Sequence, residues 1–182
     1  MNTGQTILSL GAVILWSVTV LLTNRSSLQH GSIINQTQID IYAVSLAQAK
    51  IEEASGKAFD RYSATDTAGN GNAITNLSQL TDPTLLGKEA GENYPDFNDF
   101  DDYNFYSGNN PFKLYVAGVD TFRIQSTISY VDTTDPGGKS GFRTWHKKMV
   151  VKVWPTISPW TAETAQPDTV VMTYIYSYWW FR

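Results

Sequence analysis

The spacing of hydrophobic positions changes twice along the chain. Residues 7–22 are mostly apolar and none of them is charged, and at 1.5 Å per residue they predict a helix of roughly 24 Å. This length is slightly short for a bilayer core of about 30 Å. Small residues inside the segment, such as Gly11 and Ala12, favour close packing between helices. The candidate residues for an assembly core are Ile7, Leu8, Leu10, Val13, Ile14, Leu15, Trp16, Val18, Val20, Leu21 and Leu22.

A polar stretch around Gly31 follows, where helical propensity is weak. Apolar residues then return near the helical period, and Ser55 with Gly56 forms a plausible stop signal. The pattern predicts one helix of about 50 residues with a weak middle, an apolar first half and an amphipathic second half. We predict that the apolar face of the second half contains Ile33, Ile34, Ile41, Val44, Ala47, Ala49 and Ile51.

After the predicted helix, the chain is first rich in turn-forming residues, and its apolar residues then recur with a period of two. Gly, Asn, Asp, Ser and Thr dominate residues 57–112, which predicts a long irregular region with a turn at 108–111. Alternating apolar and polar positions beyond it predict an antiparallel sheet with one face toward water. The predicted fold is α+β: helix 1–56 packed on a body 57–182, whose sheet covers 113–182. The predicted strands are 113–119, 122–131, 144–154 and 169–180.

Composition narrows the function classes. The 182 residues suit one globular domain with a terminal segment, and the net charge of -4 argues against general nucleic-acid binding. The absence of cysteine excludes thiolate chemistry, and His30 and His146 lie in no recognisable catalytic motif. We therefore expect no enzyme activity, no catalytic residue and no cofactor.

Charge is unevenly distributed, with -6 over residues 61–120 and +3 over residues 121–182. This asymmetry suits head-to-tail contacts between copies, although it is also common on ordinary solvated surfaces. We predict that the acidic stretch 89–102 faces basic residues of a neighbouring copy: Arg143, Lys147, Lys148 and Lys152.

An acidic cluster with Asn104 beside it offers hard oxygen ligands suited to calcium, and its candidate ligands are Asp96, Asp99, Asp101 and Asp102. The spacing of an EF-hand loop is absent. Four aromatic residues alternate with the acids, which favours a loop whose rings point inward while its carboxylates face water or a basic neighbour. We therefore expect no metal and no calcium-dependent change in melting temperature. The interleaved aromatic residues are Phe97, Phe100, Tyr103 and Phe105.

Asn76-Leu-Ser is a glycosylation-type triplet in the loop region. Such triplets also occur at Asn24 and Asn35, on the predicted helix, where we expect packing to make them less accessible.

The layout of a long N-terminal helix, an irregular loop region and a C-terminal antiparallel sheet resembles a type IV pilin or pseudopilin. The segment 97–104, Phe-Asn-Asp-Phe-Asp-Asp-Tyr-Asn, is similar to an F-D-D-x-D-D-Y segment of some pilin-like proteins. The usual basic leader and the glutamate of the apolar half are missing, and Gln5 follows Gly4. Because the first residues carry no Lys or Arg, we expect the segment to be retained.

The resemblance implies a subunit whose apolar helices bundle into a filament core and whose sheet domains form the outer surface. We expect the structural subunit of an extracellular, helical, homopolymeric fimbrium, inserted in the membrane before assembly, with a cell-adhesion target left open. The alternative is a membrane-anchored minor pseudopilin or bitopic envelope protein that presents its β domain to partners.

Overall fold

The computed structural model describes residues 3–64, 72–110, 119–157 and 169–178. Helix α1 (Thr3–Ser55) is followed by strands β1 (Ser107–Asn110), β2 (Val119–Tyr130), β3 (His146–Ile157) and β4 (Val170–Ser177). One long helix followed by a four-stranded antiparallel sheet confirms the predicted α+β class. The chain divides into two compact units, Met1–Ile39 and Asp40–Arg182.

In the first unit, the large apolar side chains of residues 7–22 are all exposed to solvent. Hydroxyl groups on the same helix donate hydrogen bonds to carbonyls of the preceding turn. Ser17 donates to the carbonyl of Val13 at 2.8 Å, and Thr19 donates to the carbonyl of Leu15 at 2.8 Å. The helix continues through Gly31, so the predicted weak middle does not interrupt it. Apolar side chains and satisfied hydroxyls together make this a surface suited to an apolar environment.

In the second unit, the buried side of α1 is built largely from alanine. Ala43, Ala47, Ile51 and Ala54 are buried, at spacings of three and four residues. The predicted face is correct for Ala47 and Ile51. It is wrong for the exposed residues Ile33, Ile34, Ile41, Val44 and Ala49. Small side chains permit close packing, and a search for large apolar residues overlooks them.

The end of α1 agrees with the predicted stop signal. The amide of Gly56 donates to the carbonyl of Glu52 at 3.1 Å, and the hydroxyl of Ser55 donates to the same carbonyl at 3.1 Å. These bonds satisfy a carbonyl of the last turn, where the helix has no further amides to offer.

The sheet is a meander with strand order β1-β2-β3-β4, and every neighbouring pair is antiparallel. The predicted second, third and fourth strands are confirmed with small shifts at their ends. β1 lies in the stretch predicted as irregular, where residues 108–111 were expected to turn, so the sheet begins before residue 113. An edge strand of this kind forms through backbone pairing with β2, which needs no apolar pattern. Of the predicted first strand, residues 113–118 lie outside the described ranges.

One face of the sheet is buried and the other is more exposed. On β2 the inward side chains include Phe122, Ile124, Ile128 and Tyr130, as the alternation predicts. The register places them opposite inward residues of β3, and Tyr130 pairs with Lys147. The same period of two therefore places a lysine on the buried face. The other buried β3 residues of this face are Met149, Val151, Val153 and Pro155.

The described part of the loop region contains three short 3₁₀ turns: Arg61–Ser63, Leu77–Gln79 and Asp101–Tyr103. Asp60 and Asn76 cap the first two of these turns with their side chains. Asn76 is exposed, which suits its proposed role as a glycosylation site. A hydrophobic cluster lies under this region and consists of Phe59, Ile74, Leu80, Leu86 and Tyr130.

Candidate functional site

A buried lysine organises the centre of the second unit. The side chain of Lys147 is 0% exposed. Its ammonium group donates to Asp60 Oδ2 at 2.8 Å, to Asp101 Oδ1 at 2.5 Å and to the carbonyl of Phe59 at 2.7 Å. An ammonium group has three protons to donate, so these three bonds use all of them. The site joins β3 to two separate loop segments.

Asp60 is held ionised by this arrangement. Burial alone would raise the pKa of its carboxyl, but the charge and hydrogen bond of Lys147 outweigh burial and hold the pKa below its usual value. The amide and hydroxyl of Thr81 also donate to Asp60, each at 3.0 Å. Both carboxylate oxygens are therefore bonded, as a buried charge requires.

The acidic segment lies differently from the sequence expectation. Asp99, Asp101 and Asp102 are buried, whereas Asp96 is exposed. The expectation that these carboxylates face water or a basic neighbour is thus wrong for Asp99 and Asp102, whereas Asp101 contacts the basic side chain of Lys147 within the chain. Their burial has a physical reason, because backbone amides and Lys147 supply the hydrogen bonds that water would otherwise provide.

The interleaved rings mostly follow the prediction. Phe97, Phe100 and Tyr103 are buried, and the hydroxyl of Tyr103 donates to Glu53 Oε1 at 2.8 Å. Phe105 is the exception, with its side chain 79% exposed and a backbone φ of 59°. The prediction that all four rings point inward is therefore wrong for Phe105, because the left-handed backbone turns the chain at this position.

Asp99, Asp101 and Asp102 each have one bonded carboxylate oxygen and one buried oxygen that is unpartnered among the described residues. Asp99 Oδ1 accepts from the amides of Asp101 at 2.8 Å and Asp102 at 3.2 Å. Asp102 Oδ2 accepts from the amides of Asn98 at 2.9 Å and Asp99 at 3.1 Å. Within the described ranges, the other oxygen of each, Asp99 Oδ2 and Asp102 Oδ1, is buried and has no hydrogen-bond partner.

Glu89 approaches the same place from an earlier loop. One carboxylate oxygen from each of Glu89, Asp99 and Asp102 lies within 4.8 Å of the other two. Burial raises the pKa of Asp99 to about 9, with the charges of Asp101 and Asp102 adding to the effect. Burial likewise raises the pKa of Glu89 to about 7, with contributions from Glu92 and Asp102. Three carboxyls in this arrangement can share protons or bind a hard cation.

The structure places the four predicted metal ligands in three different environments. Asp99 and Asp102 belong to the group of three, Asp101 is bonded to Lys147, and Asp96 is exposed outside the group. Sequence reasoning missed Glu89, which lies ten residues before Asp99. Its only sequence signal is the general acidity of the stretch 89–102.

The predicted basic contact surface is largely internal. Lys147 is bonded as described, and Lys148 is buried while donating to the carbonyls of Gly137 and Gly138 at 2.5 Å. Arg143 forms an ion pair with Asp82 at 3.3 Å. Of the four basic residues, Lys152 is exposed on the outer face of β3. The proposed contact through Lys147 and Lys148 between copies is therefore wrong, because both ammonium groups are buried within the chain.

The two histidines lie apart. His30 is exposed on α1, and His146 begins β3, where its Nδ1 lies 2.8 Å from the Ser177 hydroxyl. The expectation that the protein is not an enzyme stays a prediction.

Comparisons with protein-family profiles, with curated proteins and with solved structures each give no match. The fold class and the site therefore stand on the geometry of this chain alone.

Proposed function

We propose that this protein is the structural subunit of an extracellular helical filament, assembled by packing residues 7–22 of each copy against the same helix of its neighbours. The observation that carries the proposal is the exposure of this segment. Its large apolar side chains are between 47% and 76% exposed. An apolar surface of this size indicates an interaction or membrane site, because contact with water is unfavourable.

Either lipid or neighbouring copies of the protein would shield residues 7–22 from water. α1 is long and apolar enough to cross a membrane: an 18-residue window within it has a mean hydropathy of 2.1 and is 0% buried. A signal sequence has the same general properties. Lipid would cover the helix before assembly, and neighbouring copies would cover it in the filament.

Packing between copies is supported by the small residues of the helix. Gly11 and Ala12 allow helix backbones to approach closely, and a Cβ added at Gly11 would meet nothing within 4 Å in the single chain. The space beside Gly11 is therefore free for a neighbouring helix. The hydroxyls of Ser17 and Thr19 are already bonded within the helix, so they require no water at such an interface.

The alternative is a membrane-anchored subunit that presents residues 40–182 to partners without forming a filament. The same apolar window supports this alternative. The two differ in the final environment of residues 7–22, which imaging of the purified protein distinguishes.

The experiment compares fibres of the wild type with those of Ile14→Asp in electron micrographs. Ile14 is 56% exposed on the single chain, so the aspartate leaves the body folded, but it places a charge in the proposed helix interface. Phe142→Asp is the matched control, since Phe142 is 81% exposed in the loop between β2 and β3. We expect fibres from the wild type and the control and none from Ile14→Asp.

Wild-type membranes without fibres would favour the anchored subunit, and normal fibres from Ile14→Asp would contradict the proposed core. Salt and detergent supply a second comparison. In about 1 M salt the screening length falls to roughly 3 Å, which weakens ion pairs but not apolar packing. We expect detergent to dissolve the fibres more readily than salt does.

A further inference from the structure

We propose that Glu89, Asp99 and Asp102 bind one calcium ion, at a site within residues 40–182 that does not depend on filament assembly. The three residues come from two loop segments and converge beside the buried Lys147 site. The sequence alone favours no calcium here, because the EF-hand spacing is absent and the carboxylates are expected to face water or a basic neighbour. In the structure, Asp99 and Asp102 are buried, and this burial favours a bound cation.

The spacing of the oxygens fits a calcium ion. Calcium lies about 2.3–2.6 Å from its oxygen ligands, so two ligands on opposite sides of the ion are roughly 4.6–5.2 Å apart. One oxygen from each of the three carboxyls lies within 4.8 Å of the others. A single ion can therefore contact all three with little movement of the side chains.

Unpartnered oxygens provide the second observation. Asp99 is 0% exposed, and its Oδ2 has no hydrogen-bond partner within the described ranges. Its Oδ1 is already used by two backbone amides, so the side chain cannot rotate to satisfy Oδ2 without losing them. Asp102 Oδ1 and Glu89 Oε2 are also buried and unpartnered among the described residues. Buried polar atoms of native proteins usually have a partner, and these three unpartnered oxygens belong to the three carboxyls that converge.

Lys147 cannot supply the missing charge. All three of its protons are donated to Asp60, Asp101 and the carbonyl of Phe59. Arg61 reaches Glu89 at 3.4 Å, but it contacts the oxygen Oε1 and its side chain is 49% exposed. A proton or another cation is therefore left to neutralise these carboxyls, and their oxygen-only donor set indicates the type of cation. Oxygen-only ligands suit calcium, which tolerates irregular geometry and completes its shell with water.

A surface groove borders the site at Asp102. Asp102 is only 1% exposed, but it lines this groove together with Asn104 and Tyr106. An ion would therefore enter from this side, past the Asp102 carboxylate. Bound calcium would tie the loop that carries Glu89 to the 3₁₀ turn Asp101–Tyr103, and so stabilise the part of the body that packs on β2.

The test uses the full chain in non-ionic detergent micelles, treated with a chelator and then titrated with calcium chloride. At a free calcium concentration about 100 times Kd, we expect the melting temperature to rise by roughly 5–10 °C, because the ion binds only the folded state. Equilibrium dialysis should give one bound calcium per chain. Potassium chloride at the same ionic strength is the control for screening.

The matched variants are Asp99→Asn and Asp96→Asn. Asp99→Asn keeps an oxygen for the two amides and removes the charged ligand, so we expect it to lose the rise in melting temperature and the bound ion. Asp96→Asn changes an exposed carboxylate three residues away and should retain both. Glu89→Gln, at a half-buried position, serves as the second ligand variant if Asp99→Asn fails to fold.

Three results would overturn the proposal. The first is no rise and no bound ion for the wild type at about 10 mM calcium, well above the range of weak extracellular sites. The second is an equal rise with potassium chloride. The third is an unchanged response in the ligand variants.

Discussion

Replacing the buried Lys147 with methionine tests whether its three bonds stabilise the second unit. Methionine has a similar length and fills the same space, so the change removes the ammonium group without leaving a cavity. Asp60 and Asp101 would then lose the cation that bonds to both of them. Removing one partner of a buried ion pair costs about 3–5 kcal/mol, because the remaining charge stays buried.

That magnitude is large for a domain of this size. Native stability is typically about 5–15 kcal/mol, and about 2–4 °C of melting temperature is lost per kcal/mol in chains of this length. We therefore expect Lys147→Met to lower the melting temperature by roughly 6–20 °C. Urea unfolding of the full chain in non-ionic detergent, followed by tryptophan fluorescence, measures the free energy of unfolding directly.

Lys152→Met is the matched control on the same strand. Lys152 is exposed and pairs with the exposed Gln125, so its substitution should change the free energy of unfolding by no more than about 0.5 kcal/mol. Adding Asp60→Asn and Asp101→Asn to Lys147→Met should recover part of the loss, because neutral amides replace the uncompensated charges.

The pH dependence of the free energy of unfolding shows whether Lys147→Met acts through lost charge or through altered packing. Without Lys147, burial opposes ionisation of Asp60 and of Asp101, and burial already raises the pKa of Asp101 in the wild type, so we expect the variant to lose stability as pH rises. The deficit relative to the wild type should therefore be larger at pH 8 than at pH 5. A deficit below about 1 kcal/mol, equal to that of Lys152→Met, would refute the proposed role of the buried lysine.

Two further predictions follow from particular residues. The pKa of Asp60 is lowered in the folded state, so its contribution is complete above the unfolded pKa of about 3.9 and is lost as pH falls further. The stability difference between the wild type and Asp60→Asn should thus shrink from pH 6 to pH 2 in urea titrations, and a constant difference would contradict this. Phe105→Asn should raise the free energy of unfolding by up to about 1 kcal/mol, because asparagine tolerates a φ of 59° and the lost side chain is mostly exposed. Thermal melting of Phe105→Asn beside Phe142→Asn, an exposed control, checks the result, and a clear loss specific to Phe105→Asn would show that this ring contributes to stability.

Much of the fold follows from local patterns in the sequence. The period of two along β2 predicts its buried residues, because a strand in a sheet with one wet face must alternate. The stop at Ser55 and Gly56 follows from weak helical propensity. β1 could not be found in this way, since Ser107–Asn110 pairs through its backbone and has no apolar alternation.

The buried position of Lys147 is predicted by the period of two along β3, although a lysine is normally exposed. Counting every second residue from Val153 toward the start of β3 passes through Val151 and Met149 to Lys147. The alternation therefore places this lysine inward, whereas its charge suggests an exposed position. The pattern is the correct guide here because Asp60 and Asp101, distant in sequence, provide partners that a local pattern does not contain.

A period of three is present in the acidic segment, but it explains only part of the structure. Phe97, Phe100 and Tyr103 recur every third residue, and so do Asp99 and Asp102. A 3₁₀ turn has three residues per turn, but here it covers only Asp101–Tyr103. Asp99 precedes the turn, and the amides of Asp101 and Asp102 hold its Oδ1. Periods of 2 and 3.6 mix the two sets, so they predict neither the burial of the carboxyls nor their convergence. Burial of Asp99 and Asp102 depends instead on backbone amides of residues 98–102, which donate to both carboxylates only once this loop has folded, so no pattern of side chains along the sequence predicts it.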